Sequence, residues 1–127
     1  MTYDQVTKHL LALKGATLSI QWGDDHIFKV GGKMFAGMGP KPKKGETQRE
    51  GISFKADEMS FHVLTQKRGI VPAPYLARAH WVSLDKLGRL PDKQLKAYLE
   101  RAHAIVAQGL TKKMRASLGI ADAPKDD

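Results

Sequence analysis

The chain contains no cysteine, which excludes disulfide bonds and thiol nucleophiles. Long hydrophobic runs are also missing: no apolar stretch approaches the roughly 20 residues that a bilayer-spanning helix needs. The first residues, MTYDQVTK, lack the basic region and apolar run of a signal peptide. We therefore expect a soluble, cytoplasmic protein that does not associate with membranes.

Acidic residues are scarce relative to basic ones. The chain has 13 Asp and Glu residues and 21 Lys and Arg residues, giving a net charge of +8. Residues 29–89 alone contain twelve basic and five acidic residues. Such an excess attracts phosphate backbones, anionic membranes or acidic proteins without choosing among them. A solvated basic surface that only maintains solubility is the alternative interpretation.

The sequence also lacks any motif that indicates a particular reaction. The five histidines stand in no zinc-binding spacing, and no serine lies in a G-x-S-x-G elbow. Gly31-Gly32 lacks the spacing of a phosphate-binding loop and precedes no helix. We predict no catalytic residue, no metal and no cofactor, and hence a protein that is not an enzyme.

The chain length of 127 residues fits one domain with a real core. We assign residues 1–120 to this domain and residues 121–127 to a frayed tail. Gly31 and Gly32 separate two apolar runs, a pattern typical of a hairpin turn with positive φ, so we predict a β-hairpin over residues 26–38. Further strands are expected at residues 17–21, 52–54 and 80–84. Residues 37–50 should form a projecting loop.

Three main helices are expected. Thr2 and Gln5 fit a capping box at the start of the first, which Gly15 should end. The second should cover residues 56–66, with Gly69 as a left-handed cap, and the third should begin at Pro91. Thr111 fits the cap of a final short helix to Leu118. The buried stripe of the third helix is predicted to comprise Leu95, Leu99, Ala102, Val106 and Leu110.

The element order α-β-β-β-β-α-β-α predicts an α+β fold, with an antiparallel sheet packed against helices. Phe28, Phe35 and Phe54 are expected in its core. Trp22, beside a turn, is the best candidate for an exposed aromatic residue, whereas Trp81 is ambiguous. Exposed aromatic residues matter because single-stranded nucleic acid stacks on them.

Three segments resemble the MmcQ/YjbR family, covering roughly residues 3–118. They are residues 75–92, with Tyr75 ahead of His80-Trp81 and with Leu90-Pro91-Asp92 opening a helix, residues 28–36, and Ser53-Phe54-Lys55-Ala56-Asp57. The resemblance implies helices packed on an antiparallel sheet, in a topology like that of secretion chaperones. It also implies DNA binding, in an arrangement described as a double wing.

We therefore interpret the chain as a monomeric DNA-binding protein of low sequence specificity that contacts mainly phosphates. The predicted contact residues are Lys33, Lys41, Lys43, Lys44, Arg49, Lys55, Lys67, Arg68, Arg78, Lys86 and Arg89. A chaperone-like or interaction module that docks an acidic partner is the alternative. An enzyme acting on a small anionic substrate is a third.

Overall fold

The computed structural model describes residues 1–41, 43 and 51–122. Two predicted contact residues, Lys44 and Arg49, and most of the predicted tail therefore lie outside the described residues. The described elements are α1 (Tyr3–Leu11), β1 (Ala16–Gln21), β2 (Asp25–Val30), β3 (Lys33–Met38), β4 (Ile52–Lys55), α2 (Glu58–Leu64), β5 (Ile70–Pro72), β6 (Trp81–Leu84), α3 (Asp92–Gln108) and α4 (Lys112–Leu118). Two short 3₁₀ turns cover Ala77–Ala79 and Leu87–Arg89.

Within the described part of the chain, six strands form one sheet in the order β1-β2-β3-β4-β6-β5, with every neighbouring pair antiparallel. The predicted α+β class is thus confirmed. The predicted hairpin is confirmed too, because β2 and β3 pair and the turn residues Gly31 and Gly32 have φ of +58° and +81°. Met38, Ile52, Leu84 and Ile70 lie side by side at one end of the sheet, called here the Met38 end. Lys55 pairs with Trp81 near the other end, the Trp81 end.

The helices cover one face of the sheet. Phe28, Phe54 and Val82 point to this face and are fully buried, in one core with residues of α1, α2 and α3. Phe35 is also fully buried, so the predicted core placement of Phe28, Phe35 and Phe54 is correct. The alternate residues of the strands point to the opposite face, where no helix of the described chain packs.

The first helix begins as predicted and ends earlier. Gln5 donates its backbone N–H to Thr2 Oγ1 at 3.1 Å, and Thr2 donates its own to Gln5 Oε1 at 2.9 Å, which completes the capping box. The helix stops at Leu11. Gly15 does not end it but forms the turn into β1, with φ of +72°.

The second helix is shorter than predicted, because Asp57 is its N-cap and the hydroxyl of Thr65 closes its other end. Ser60 donates its backbone N–H to Asp57 Oδ1 at 2.7 Å, and Thr65 Oγ1 donates to the Phe61 carbonyl at 2.8 Å. Gly69 has the predicted positive φ, +81°, but in the turn before β5 rather than as the helix cap. The predicted order lacks β5.

The sixth strand begins at Trp81 instead of His80. His80 has φ of +60° and ends the preceding 3₁₀ turn, so it cannot continue a strand. Val82 and Leu84 point into the core, while Trp81 and Ser83 share the uncovered face.

The predicted stripe of the third helix is wrong at two positions: Val106 is half-buried, and Leu110 is buried but lies beyond the helix, which ends at Gln108. Leu95, Leu99 and Ala102 are fully buried, and the stripe continues through His103 and Ala107. His103 tolerates burial because its Nε2 donates to the Lys14 carbonyl at 2.7 Å and its ring packs edge-on against Phe35. Thr111 caps α4 as predicted, accepting the backbone N–H of Met114 at 3.1 Å.

Candidate nucleic-acid interface

An open groove of about 650 Å³ crosses the uncovered face of the sheet. Its floor contains Ile27, Gly37, Ser53 and Ser83, which are register partners across β2, β3, β4 and β6. Ser53 Oγ donates to Ser83 Oγ at 3.2 Å. A volume of this size falls in the range of ligand-binding clefts.

Two exposed aromatic residues border the groove. Trp22 follows β1 and is 71 % exposed, and Tyr75 precedes β6 and is fully exposed. Both have positive φ, +49° and +65°, a conformation that costs a non-glycine residue on the order of 1–3 kcal/mol. The predicted exposure of Trp22 is therefore confirmed.

The second tryptophan lies deeper. Trp81 lines the groove but is only 5 % exposed, so it forms a wall rather than a projecting ring. The Trp81 backbone N–H donates to the Leu76 carbonyl at 3.2 Å, and the Ala73 N–H donates to the Trp81 carbonyl at 2.9 Å. These bonds attach the segment that carries Tyr75 to β6.

Basic residues far apart in the sequence meet at the Met38 end. The Asp85 N–H donates to the Gly69 carbonyl at 3.0 Å, which brings the turn after β6 against the turn before β5. Lys67, Arg68 and Lys86, here called the edge cluster, lie exposed on these two turns. Within residues 1–41, 43 and 51–122, no acidic side chain forms a salt bridge with any of the three.

Arg89 belongs to the same turns but is already engaged. Its guanidinium lies directly against Gly69 and donates to both carboxylate oxygens of Asp85, at 2.6 and 2.8 Å. This pairing raises the pKa of Arg89 and lowers that of Asp85. Arg89 therefore joins the two turns rather than offering a free phosphate contact.

The predicted basic loop also begins at the Met38 end. Lys41 lies two residues beyond Gly39, which lines the groove, and forms a salt bridge of 3.0 Å with Asp4 of α1. Lys43 is exposed but also has a partner. Of the projecting loop predicted over residues 37–50, residues 37 and 38 belong to β3 instead, Lys41 is held against α1, and residues 42 and 44–50 lie outside the described residues.

The remaining predicted residues that the structure describes lie toward the Trp81 end. Lys33 stands exposed at the hairpin turn, and Arg78 lies exposed in the 3₁₀ turn after Tyr75. Lys55 is half-buried on the groove side, where its ammonium donates to the Ala79 carbonyl and burial lowers its pKa. The predicted contact residues within the described ranges thus form groups at both ends of the sheet.

The groove itself was not predicted. Tyr75 and Asp25, which line it, were not assigned to a site. A signal was available for Tyr75, because it follows Pro74 and stands several residues ahead of the strand predicted at residues 80–84, a position typical of an exposed loop.

Neither a metal site nor a membrane-spanning helix stands in the described residues. No group of three His, Asp or Glu side chains there could hold a metal ion. None of the helices in that part of the chain is both long and apolar enough to cross a membrane.

Comparisons with known proteins identify relatives by sequence and by structure. A Deinococcus radiodurans protein with a DUF419 domain, known from a crystal structure, has 26 % sequence identity to this chain. The match has a TM-score of 0.80 and covers 98 % of this chain and 92 % of that one. A Pseudomonas syringae protein shares the fold at 20 % identity, with a TM-score of 0.67 over 83 % of this chain and 98 % of that one. No match was found among curated proteins. The YjbR family model matches residues 11–105, so the chain belongs to the YjbR family.

Proposed function

We propose that the protein binds DNA, mainly through phosphate contacts and with low sequence specificity, and that its role is binding rather than catalysis. The observation that carries the proposal is the edge cluster, in which Lys67, Arg68 and Lys86 meet at one end of an uncovered sheet face. Lys and Arg side chains position a phosphate backbone without reading its sequence. Monomeric action and a cytoplasmic location are parts of the same proposal.

The family resemblance supports this function, because the MmcQ/YjbR family is described as DNA-binding. The net charge of +8 supports it on physical grounds, since a basic protein attracts polyanions at long range. Contacts of this kind release counterions, so binding should weaken steeply as salt increases.

The test is fluorescence anisotropy of a labelled duplex at low and near-physiological salt. Changing Lys67, Arg68 and Lys86 together to Ala should weaken binding equally for unrelated sequences. The slope of log affinity against log salt should become shallower by about 0.9 for each phosphate that the variant no longer binds.

The matched control removes three positive charges from the helices. Lys8, Lys96 and Lys113 are exposed on α1, α3 and α4, so their combined change to Ala alters net charge equally while leaving the edge cluster intact. The salt slope of this control should stay near that of the unmodified protein. Equal losses in both triple variants would contradict the edge cluster as the binding surface, and absence of binding at low salt would overturn the proposed function.

A specific observation favours the second candidate, an interaction module. The uncovered sheet face exposes apolar side chains, with Val71 of β5 54 % exposed in addition to Trp22 and Tyr75. Such a face is typical of a docking surface for another protein. An acidic partner would also meet the edge cluster, so this candidate comes second because the family resemblance supports DNA binding instead.

A further inference from the structure

The groove and its surroundings differ in charge. Among the described residues that line it, Asp25 is the one charged side chain, and the others are apolar, small or hydroxylic. Cationic side chains that form no salt bridge within the described residues lie instead around its ends, with the edge cluster at the Met38 end and Lys55 and Arg78 toward the Trp81 end. At the Met38 end Lys41 is paired with Asp4, and Asp24 is exposed beside Trp22. A phosphate inside the groove would meet the Asp25 carboxylate, whereas a phosphate at either end would meet a cation.

The two exposed rings stand at diagonally opposite corners of the groove. Trp22 follows the last residue of β1 at the Met38 end, while Tyr75 lies two residues after Ala73, whose N–H donates to the Trp81 carbonyl at the other end. Strands β2, β3, β4 and β6 lie between β1, which precedes Trp22, and β5, which precedes Tyr75, so these two strands are five strand spacings apart, about 24 Å. The two rings therefore offer separate stacking surfaces to an extended ligand.

The floor between the rings is shallow because it is built from small residues. Gly37 lies at its centre, where an added Cβ would meet only Ile27 Cδ1, at 3.4 Å, and the His26 carbonyl, at 3.8 Å. Ser53 and Ser83 supply hydroxyl groups beside it. Flat apolar surface with a few hydrogen-bonding groups suits planar heterocycles with polar edges.

We propose that this groove binds the bases of single-stranded DNA, which stack on Trp22 and Tyr75 while their phosphates reach the cations at both ends. The inference rests on the proposed DNA binding and names the form of DNA. Bases inside a duplex are stacked on one another, so only a single strand can present its base faces to protein rings. The charge difference between groove and ends favours this orientation.

The experiment compares a labelled oligothymidylate with a labelled duplex of the same length, by anisotropy at one low salt concentration. We expect the single strand to bind more tightly and to quench tryptophan emission, because Trp22 is exposed while Trp81 is buried. Trp22→Gly and Tyr75→Gly should each weaken single-strand binding by about 5- to 150-fold and change duplex binding little. Glycine is chosen at both positions because it adopts positive φ without strain.

Two further variants complete the test. Met59→Ala removes an apolar side chain that is 77 % exposed on α2, away from the groove, and should leave both affinities unchanged. Gly37→Val fills the floor and should weaken single-strand binding while Tyr75→Phe, which keeps the ring, should not. Circular dichroism and thermal melting establish that each variant folds.

The outcomes separate this inference from the proposed function. If both DNA forms bind, both depend on the edge cluster, and neither responds to the loss of Trp22 or Tyr75, the stacking inference is overturned while DNA binding stands. If the duplex binds more tightly than the single strand, the inference is equally overturned. If neither form binds at low salt, the proposed function fails and this inference fails with it.

Discussion

Tyr3 links α1 to Gly39, the residue that follows β3 and lines the groove. It is 5 % exposed, and its hydroxyl donates to the Gly39 carbonyl at 2.6 Å. Burial, with smaller contributions from Asp4 and Asp25, raises the pKa of Tyr3 to about 12. The neutral phenol is therefore favoured in the folded state more than in the unfolded state.

This pKa shift predicts a loss of stability in alkali. Below the unfolded pKa of about 10 the contribution of Tyr3 is fully present, and it is lost as the pH rises toward 12, because the unfolded chain then releases the proton first. Tyr3→Phe should remove this pH dependence and, by deleting the hydrogen bond, cost about 1 kcal/mol at neutral pH. Urea unfolding of both proteins between pH 9 and 11 measures the difference; parallel pH profiles would contradict it.

Leu99 tests the packing of α3 against the sheet. Its side chain is fully buried, so Leu99→Ala should lower the free energy of unfolding by about 2–5 kcal/mol, because apolar burial is reduced and a cavity forms. Val106→Ala is the matched control, because Val106 lies on the same helix but is only half-buried and should cost less. Chemical denaturation compares the two, and equal losses would show that the stripe is wrongly assigned.

Individual residues were predictable where local sequence decides their environment. Trp22 adjoins a turn of Gly23-Asp24, and its exposure follows from that. His103 and Val106 could not be distinguished in the same way, because both lie close to the apolar stripe. A carbonyl from Lys14, 89 residues earlier in the chain, satisfies the ring of His103 and so permits its burial.

Asp57 decides how α2 attaches to its neighbours. It caps the helix through Ser60 and also forms a salt bridge with Arg101 of α3. The Ser60 N–H is the largest cause that lowers the pKa of Asp57, and Arg101 adds to it. One carboxylate thus starts a helix and joins it to another.

Replacing this carboxylate should separate its two roles. Asp57→Ala should cost about 0.5–2 kcal/mol because the cap is removed, whereas Asp57→Asn keeps a capping oxygen and should lose less. Because its folded pKa is lowered, the contribution of Asp57 is present above the unfolded value of 3.8 and disappears as the pH falls through the folded pKa. Thermal melting at pH 7 and pH 3 checks this: the gap between the original protein and Asp57→Ala should narrow at pH 3.

Most elements were predictable from local patterns, and β5 was the exception. Ile70–Pro72 has three residues and ends in a proline, which lacks the N–H that an interior strand must donate. It forms a strand because β6 offers a free side and β5 lies at the sheet edge, where a missing donor is tolerated. The free edge of β6 exists only after the rest of the sheet has formed, so β5 cannot be recognised from the local sequence.

For the molecule as a whole, α-helices cover one face of the sheet, and none of those in the described residues packs on the other. The edge cluster forms because antiparallel pairing of β5 with β6 places residues 67–69 beside residues 85–89. The basic residues could be identified from the sequence, but their proximity could not, because it depends on the pairing of β5 with β6. The groove could not be predicted either, because its floor forms only when four strands are paired in register, with Gly37 at their centre.

The order of the strands also bears on how the protein folds. Strands β1 to β4 pair in chain order, whereas β6 can join β4 only after residues 56–80 have been bridged. Closing a longer loop costs more entropy, and pairings between distant residues slow folding. We therefore expect the four-stranded meander to assemble first and β6 to dock later. A partly folded chain would then carry Trp22 in place but lack Tyr75 and part of the groove floor, so the proposed binding of single strands would report the last step of folding.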